Sequence, residues 1–205
     1  MRPPGLQSDL GRVKCFGMYI DPDQRRRDIA RITNDLVARE GLAAATFRGI
    51  AAEQGCSTAA ITNYFDDKRE LFVHALQELS AEGERRFAEA CMDEPDDPIV
   101  ALLTMIPWCP ANVRRWKAYL AYWDAAMRDG DLAELLGRSA SAGTQQLYDL
   151  LSEKMAPDAD VQLACEHLSA AIQGMALQIL VERRPWSLAK IRGMLETVLA
   201  QVVKK

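Results

Sequence analysis

Thr46-Phe-Arg-Gly-Ile-Ala-Ala-Glu-Gln-Gly55-Cys-Ser-Thr-Ala-Ala-Ile61-Thr-Asn-Tyr-Phe65 is the stretch that decides the fold of this chain. It reads as two short helices meeting at a sharp angle. Thr46 caps the first, which runs to Gln54; Ser57 caps the second, which reaches about Tyr64. The crossing needs a small residue on the first helix, and Ala51 supplies it. The turn needs a residue that tolerates positive φ, and Gly55 supplies that. Ile50 and Ile61 then face each other. Ala-x3-Gly-x5-Ile is the spacing of a DNA-reading helix-turn-helix.

The second short helix is plain. Ser57, Thr58, Ala59, Ala60, Thr62 and Asn63 are small or polar, whereas a hairpin made only for packing would carry more Leu and Val. Small side chains let a helix backbone sit deep in a major groove, where threonine methyls touch thymine and Asn63 pairs with adenine. From Asp21 to Glu70 the basic and acidic residues nearly balance, so the segment is not an electrostatic magnet as a whole. Placement compensates: Arg48 sits in the first turn of one helix and Lys68 opens another, and helix starts attract phosphate.

Outward from this core the chain is helical almost everywhere. Ile29, Ile32, Leu36 and Val37 repeat at helical spacing from Gln24, and Gly41 ends that run. Asp67 and Glu70 form a capping box that opens a long helix to about Cys91. Met92–Pro98 is a turn, followed by a short helix and Pro107-Trp-Cys-Pro110. Further helices are expected at 111–128, at 131–155 with Asp131 and Glu134 as a capping box, at 158–182, and from Ser187 to about Val203. The fold class expected is all-α, about nine helices: a three-helix head over 24–70 and a helical body over 71–205 that binds ligand and dimerises. Residues 1–23, with Pro3, Pro4, Gly5, Gly11 and Gly17, read as a flexible arm; a disordered leader or a misassigned start is the favoured reading, and a groove-reaching role for Arg2, Arg12 and Lys14 is the other.

The residues from Ile29 to Leu71, with Gly41, Thr46, Ile50-Ala51, Gly55, Ser57, Ile61, Tyr64-Phe65 and Lys68, resemble the tetracycline-repressor (TetR) family of regulators. Ile61-Thr-Asn-Tyr-Phe-Asp-Asp-Lys68 is similar to the branch around the choline-responsive betaine regulator. The resemblance implies an all-α homodimer with a ligand pocket in its C-terminal part. By matching positions it implies DNA contacts from Thr46, Arg48, Thr58, Ala60, Thr62, Tyr64 and Lys68. Cys56 stands where valine is usual, and Thr62 where many members carry an aromatic.

The body adds chemistry of its own. The helix at 158–182 is apolar nearly all round, so it is buried on more than one side, with a partner subunit as the second side. The last helix adds Leu188, Ile191, Leu195, Val198 and Val202. Two such helices from each subunit make a four-helix dimer interface. Trp116, Tyr119, Trp123 and Met127 share a helix face, with Phe87 opposite. Gln162, Glu166, Ser169 and Gln173 form a polar stripe. Together they outline a pocket for a flat apolar or cationic organic molecule, with Glu166 as the acidic neighbour; a packed aromatic core beside a solvated edge is the other reading.

Net charge is −4 over 205 residues, 49% of them hydrophobic, which supplies ample core and argues against bulk electrostatic binding of nucleic acid. Five cysteines without a CxxC pair read as reduced thiols in the cytoplasm. No apolar run reaches membrane-spanning length. With two histidines and no metal, phosphate-loop or nucleophile-elbow motif, an enzyme or carrier that keeps the head only as a fold is the rival reading, and no cofactor is expected. Glu70, His74 and Glu78 stand one turn apart and read as ion pairs on a solvated face. The functional expectation is a repressor released from a near-palindromic DNA operator by a small molecule.

Overall fold

The computed structural model describes residues 21–182 and 185–203; expectations for the arm at 1–20 lie outside the described residues. All regular structure among them is helical: α1 (Pro22–Glu40), α2 (Phe47–Gln54), α3 (Ala59–Thr62), α4 (Lys68–Asp93), α5 (Pro98–Thr104), α6 (Pro110–Ala126), α7 (Gly130–Ser152), α8 (Val161–Val181) and α9 (Leu188–Val203).

Most boundaries follow from caps. Thr46 accepts from the Gly49 amide at 3.0 Å, Asp67 from the Glu70 amide at 2.7 Å, and Ser57 from the Ala60 amide at 3.3 Å. Gly55 ends α2 at φ 65°, where any other residue would be strained. Three starts differ from the pattern-based reading. Helix α1 begins at Pro22, whose fixed φ suits the first helical position, with Asp21 as its cap. Asp129, not Asp131, caps α7 by accepting from the amides of Asp131 and Leu132. Helix α8 starts at Val161 under Asp160, not at Asp158.

Two apolar clusters organise the chain. One joins α1–α3 and the start of α4 to Ala118 and Tyr122 of α6 and Leu132, Leu135 and Leu136 of α7. The other joins the end of α4 to α5, Trp116 of α6, the second half of α7, α8 and α9. Helices α4, α6 and α7 therefore belong to both halves. The α9 stripe corrects an expectation: Ile191, Leu195 and Val202 are buried within the chain's own core, so they do not form the outer face.

Candidate nucleic-acid interface and ligand cavity

Ile61 and Phe65 anchor α3 from beneath, both essentially inaccessible to water. With those two turned inward, Ser57, Thr58, Ala59, Thr62 and Asn63 stand exposed, and Ala60 and Tyr64 are half-exposed. Thr46 and Arg48 at the start of α2 and Lys68 at the start of α4 are exposed as well. All ten side chains expected to meet DNA thus belong to the α2–α3–α4 segment and reach water.

Charge in this head is sorted. Arg26 binds Glu70 at 2.7 Å and donates to the Tyr64 carbonyl. Arg31 pairs with Asp28, Arg39 with Glu40 and Glu53, and Arg69 with Asp131. Arg25 donates to Gln54 and Arg27 to Gln24. Among the described residues of the head, Arg25, Arg48 and Lys68 are in no ion pair, and of these Arg25 alone is held by another side chain's hydrogen bond. Lys68 only leans on the Phe72 ring, 5.0 Å from its centroid. A balanced overall count therefore leaves two cations available to phosphate, which composition alone could not reveal.

The Glu70–His74–Glu78 ladder is less solvated than its spacing suggests. Glu70 is held by Arg26 and by the Asp66 amide, which keep its carboxyl below the usual range. The His74 ring packs 5.6 Å from Phe65 with its Nε2 buried and unpartnered; burial, and next the nearby Arg26, push its pKa down. Among the described residues no group of three His, Cys, Asp or Glu side chains is placed to hold a metal ion.

In the body, a cavity of about 210 Å³ opens between α4, α6, α7 and α8. Trp116, Tyr119 and Trp123 form one wall, at i, i+3 and i+7 on α6, the first pair packed edge to face at a centroid distance of 6.3 Å and the second tilted at 5.6 Å. Trp116 is fixed by donating to the Met105 carbonyl at 2.8 Å. Phe87 closes the α4 side, and Ser169 and Gln173 line the α8 side. Two expected members are elsewhere. Met127 lies past the end of α6 and is 77% exposed. Glu166 points to solvent and accepts from Gln162 at 3.1 Å, because the inner face of α8 runs through Ser169 and Ile172 instead. The acidic residue that does line the cavity is Glu84, whose backbone carbonyl accepts from Gln146 at 2.9 Å.

Residues not singled out in the sequence complete the site. Gly83 and Arg115 form part of the cavity wall. A helix-interior glycine signals close approach by a neighbour, and here the neighbour is Arg115, whose Nη1 would lie 3.7 Å from an added Cβ. Behind the aromatic wall, α6 meets the head. The Tyr122 hydroxyl donates to Asn34 Oδ1 at 3.0 Å, and Asn34 Nδ2 donates to the Ala75 carbonyl at 2.8 Å. One fully buried chain of hydrogen bonds thus ties α6, α1 and α4 together, and burial alone raises the Tyr122 pKa.

Comparison with known proteins agrees with both halves. Residues 31–75 match the family model described as bacterial regulatory proteins of the tetR family. Residues 101–204 match that of the BetI-type transcriptional repressor, C-terminal. The chain is 26% identical over 168 residues to the HTH-type transcriptional regulator PksA of Bacillus subtilis, covering 80% of this chain and 82% of that protein. It is 28% identical over 161 residues to the regulator BetI of Stenotrophomonas maltophilia, covering 75% and 80%. Among solved structures, a transcriptional regulator from Rhodococcus sp. Rha1 superposes with a TM-score of 0.76 at 22% identity, over 90% of this chain and 97% of that one. A regulator from Saccharomonospora viridis, solved in complex with choline, superposes with a TM-score of 0.72 at 22% identity, over 88% and 97%.

Proposed function

Given that the chain belongs to the TetR family of bacterial DNA-binding transcriptional regulators, we propose that it acts in the cytoplasm as a homodimeric repressor released from its operator by a small organic molecule. Its relatives are regulators and not enzymes, which removes the rival reading. In this account residues 24–70 read DNA and 71–205 sense and dimerise. Helix α3 lies in the major groove: Thr58, Ala59, Ala60, Thr62 and Asn63 meet base edges. Thr46, Arg48, Ser57, Tyr64 and Lys68 hold the phosphates. The operator is near-palindromic because the dimer is two-fold.

The dimer seam is an outer stripe of α8. Leu163, Leu177 and Val181 are 43%, 41% and 77% exposed, and exposed Ala170 and open-faced Gly174 fall between them on the same face. Leu188 and the small residues Ala189, Gly193 and Ala200 of α9 extend it. Small residues at the seam let two such helices from each subunit approach closely.

The observation that carries the release mechanism is the double role of α6. One face, Trp116–Tyr119–Trp123, lines the cavity; the neighbouring face, with Ala118 and Tyr122, holds α1 and α4. Ligand that shifts α6 must shift the head, and two heads on one dimer change their separation. The cavity is below the roughly 300–1,000 Å³ of sites for drug-sized ligands, so the ligand is small. Phe87, Trp116, Tyr119, Trp123 and Gln173 contact it. The aromatic faces suit a flat or cationic molecule, with Glu84 in the place foreseen for Glu166.

A gel shift on the chain's own promoter region tests this, with choline and benzyltrimethylammonium as first probes. Salt-sensitive binding by a dimer is expected, relieved by a probe small enough for the cavity. Binding that ignores salt and sequence would count against the operator reading.

A further inference from the structure

The cavity wall contains a cation with an open donor. Arg115 Nη2 donates to the Thr104 carbonyl at the end of α5. Its Nη1 is buried and has no hydrogen-bond partner. No carboxylate stands in an ion pair with it among the described residues, whereas the adjacent Arg114 reaches Asp35 in solvent. Burial first, and then the nearby Arg86, lower its pKa, and Glu82 offsets this only in part. A desolvated guanidinium with an unused N–H is costly unless something supplies a negative oxygen. Arg115 borders both the cavity and an outer groove between α1, α4 and α6. The guanidinium lies across Gly83, its Nη1, Cζ and Nε standing 3.7, 3.8 and 4.0 Å from the Cβ position there, and Gly83 lines the cavity and not the groove.

We propose that the effector carries an anionic oxygen group, of the carboxylate class, which Arg115 binds where its guanidinium lies against Gly83, a side-chain turn bringing the covered Nη1–H into the cavity. This rests on the reading of the cavity as the effector site and narrows the chemistry it takes. The aromatic wall then holds the remainder of the molecule, and Arg115 is the residue that sets specificity. The arrangement also gives the anion leverage. Arg115, Ala118 and Tyr122 stand at i, i+3 and i+7, so a group bound to Arg115 acts on the same face of α6 that grips Asn34.

Matched probe pairs test it on the full-length dimer. Phenylacetate and benzoate, their neutral amides, and benzyltrimethylammonium are titrated while the fluorescence of Trp116 and Trp123 is followed. The acids are expected to bind at least about tenfold tighter than the amides, as a charged hydrogen bond requires. Arg115→Gln should erase that difference and leave the amides where they were. Arg115→Lys, which keeps the charge, should retain part of it. Gly83→Ala places a methyl group over Nη1 in ordinary contact and favours the helix, so it should fold well and still weaken the acids selectively. It reads the same effect if Arg115→Gln fails to fold. Equal binding of acids and amides, or an acid preference that survives Arg115→Gln and Gly83→Ala, overturns the inference while leaving the cavity reading intact. Failure of every probe to bind wild type at millimolar concentration defeats the cavity reading itself, and this inference with it.

Discussion

The junction between head and body and the cavity beside it treat buried polarity in opposite ways. At the junction, Asn34 is satisfied at both ends, by Tyr122 on α6 and by the Ala75 carbonyl on α4. In the cavity, Arg115 uses one amino group and leaves the other idle. A complete network fixes one geometry and transmits displacement. An incomplete one raises the energy of the empty state and rewards whatever completes it. The two sit two turns apart on one helix face, and this contrast is what the proposed release rests on.

The largest effect comes from removing the partner that both regions need. Leu163→Glu with Leu177→Glu should cost about 3–5 kcal/mol of dimer stability through buried, unpaired charge. Light scattering should then show monomers, and operator binding should vanish while the circular dichroism of each subunit stays helical. A dimer that survives both changes would move the seam elsewhere.

Next comes the junction. Asn34→Leu strands the buried Tyr122 hydroxyl and removes the side-chain donor from the Ala75 carbonyl, which keeps its helical bond, and the protein should lose about 2 kcal/mol in thermal or urea melts. The cavity should answer with the opposite sign. Arg115→Met removes a half-satisfied buried charge, and the Thr104 carbonyl keeps Asn112 as a donor at 3.2 Å. The empty protein should gain about 1 kcal/mol. Equal losses in both variants would erase the distinction between the two regions.

Within the head the same test of commitment applies to surface charge. Lys68 is unpaired, so Lys68→Ala should weaken binding to all DNA sequences and lower the salt slope by about one. Asn63→Ala should instead relax preference at one base pair by about 1–3 kcal/mol. A change of sequence preference from Lys68→Ala would reverse these roles.

The smallest effect belongs to His74. Its folded pKa lies below the unfolded value of 6.5, chiefly through burial, so the unfolded chain takes up the proton first. Stability from neutral His74 is complete above that pH and declines as pH falls toward the folded pKa. Melts of wild type against His74→Gln from pH 7.5 down to 5.5 should show the steeper decline in wild type. Parallel curves would show that burial of this ring has no consequence.

The sequence made the head legible because its signals are local. A cap at Thr46, a positive-φ glycine at 55 and inward Ile50 and Ile61 are set within a few residues, and the fold obeys them. The aromatic wall was legible for the same reason: i, i+3 and i+7 define a face wherever the helix goes. What a face meets is not local. Arg114 and Arg115 are neighbours in sequence, and only the packing of α6 against α4 and the end of α5 decides which is buried. Glu166 belonged to a polar stripe whose rotation about α8 depended on α7 and α9. Met127 needed the end of α6 to be known within a single residue. Ile191 and Leu195 read equally well as interface or core until their own chain covered them. Gly49 carries no local signal inside α2, yet an added Cβ would meet the Ala44 carbonyl oxygen at 2.7 Å.

If α6 couples the cavity to the reading head, Trp123→Ala should separate ligand response from operator binding. Operator titrations of this variant and of wild type, with and without phenylacetate, are read beside thermal melts of both. The account predicts that phenylacetate releases wild type, and that Trp123→Ala binds operator with near wild-type affinity and no longer responds. A melting temperature far below wild type, with operator binding lost in the presence and absence of phenylacetate alike, would contradict it and make the aromatic wall a core.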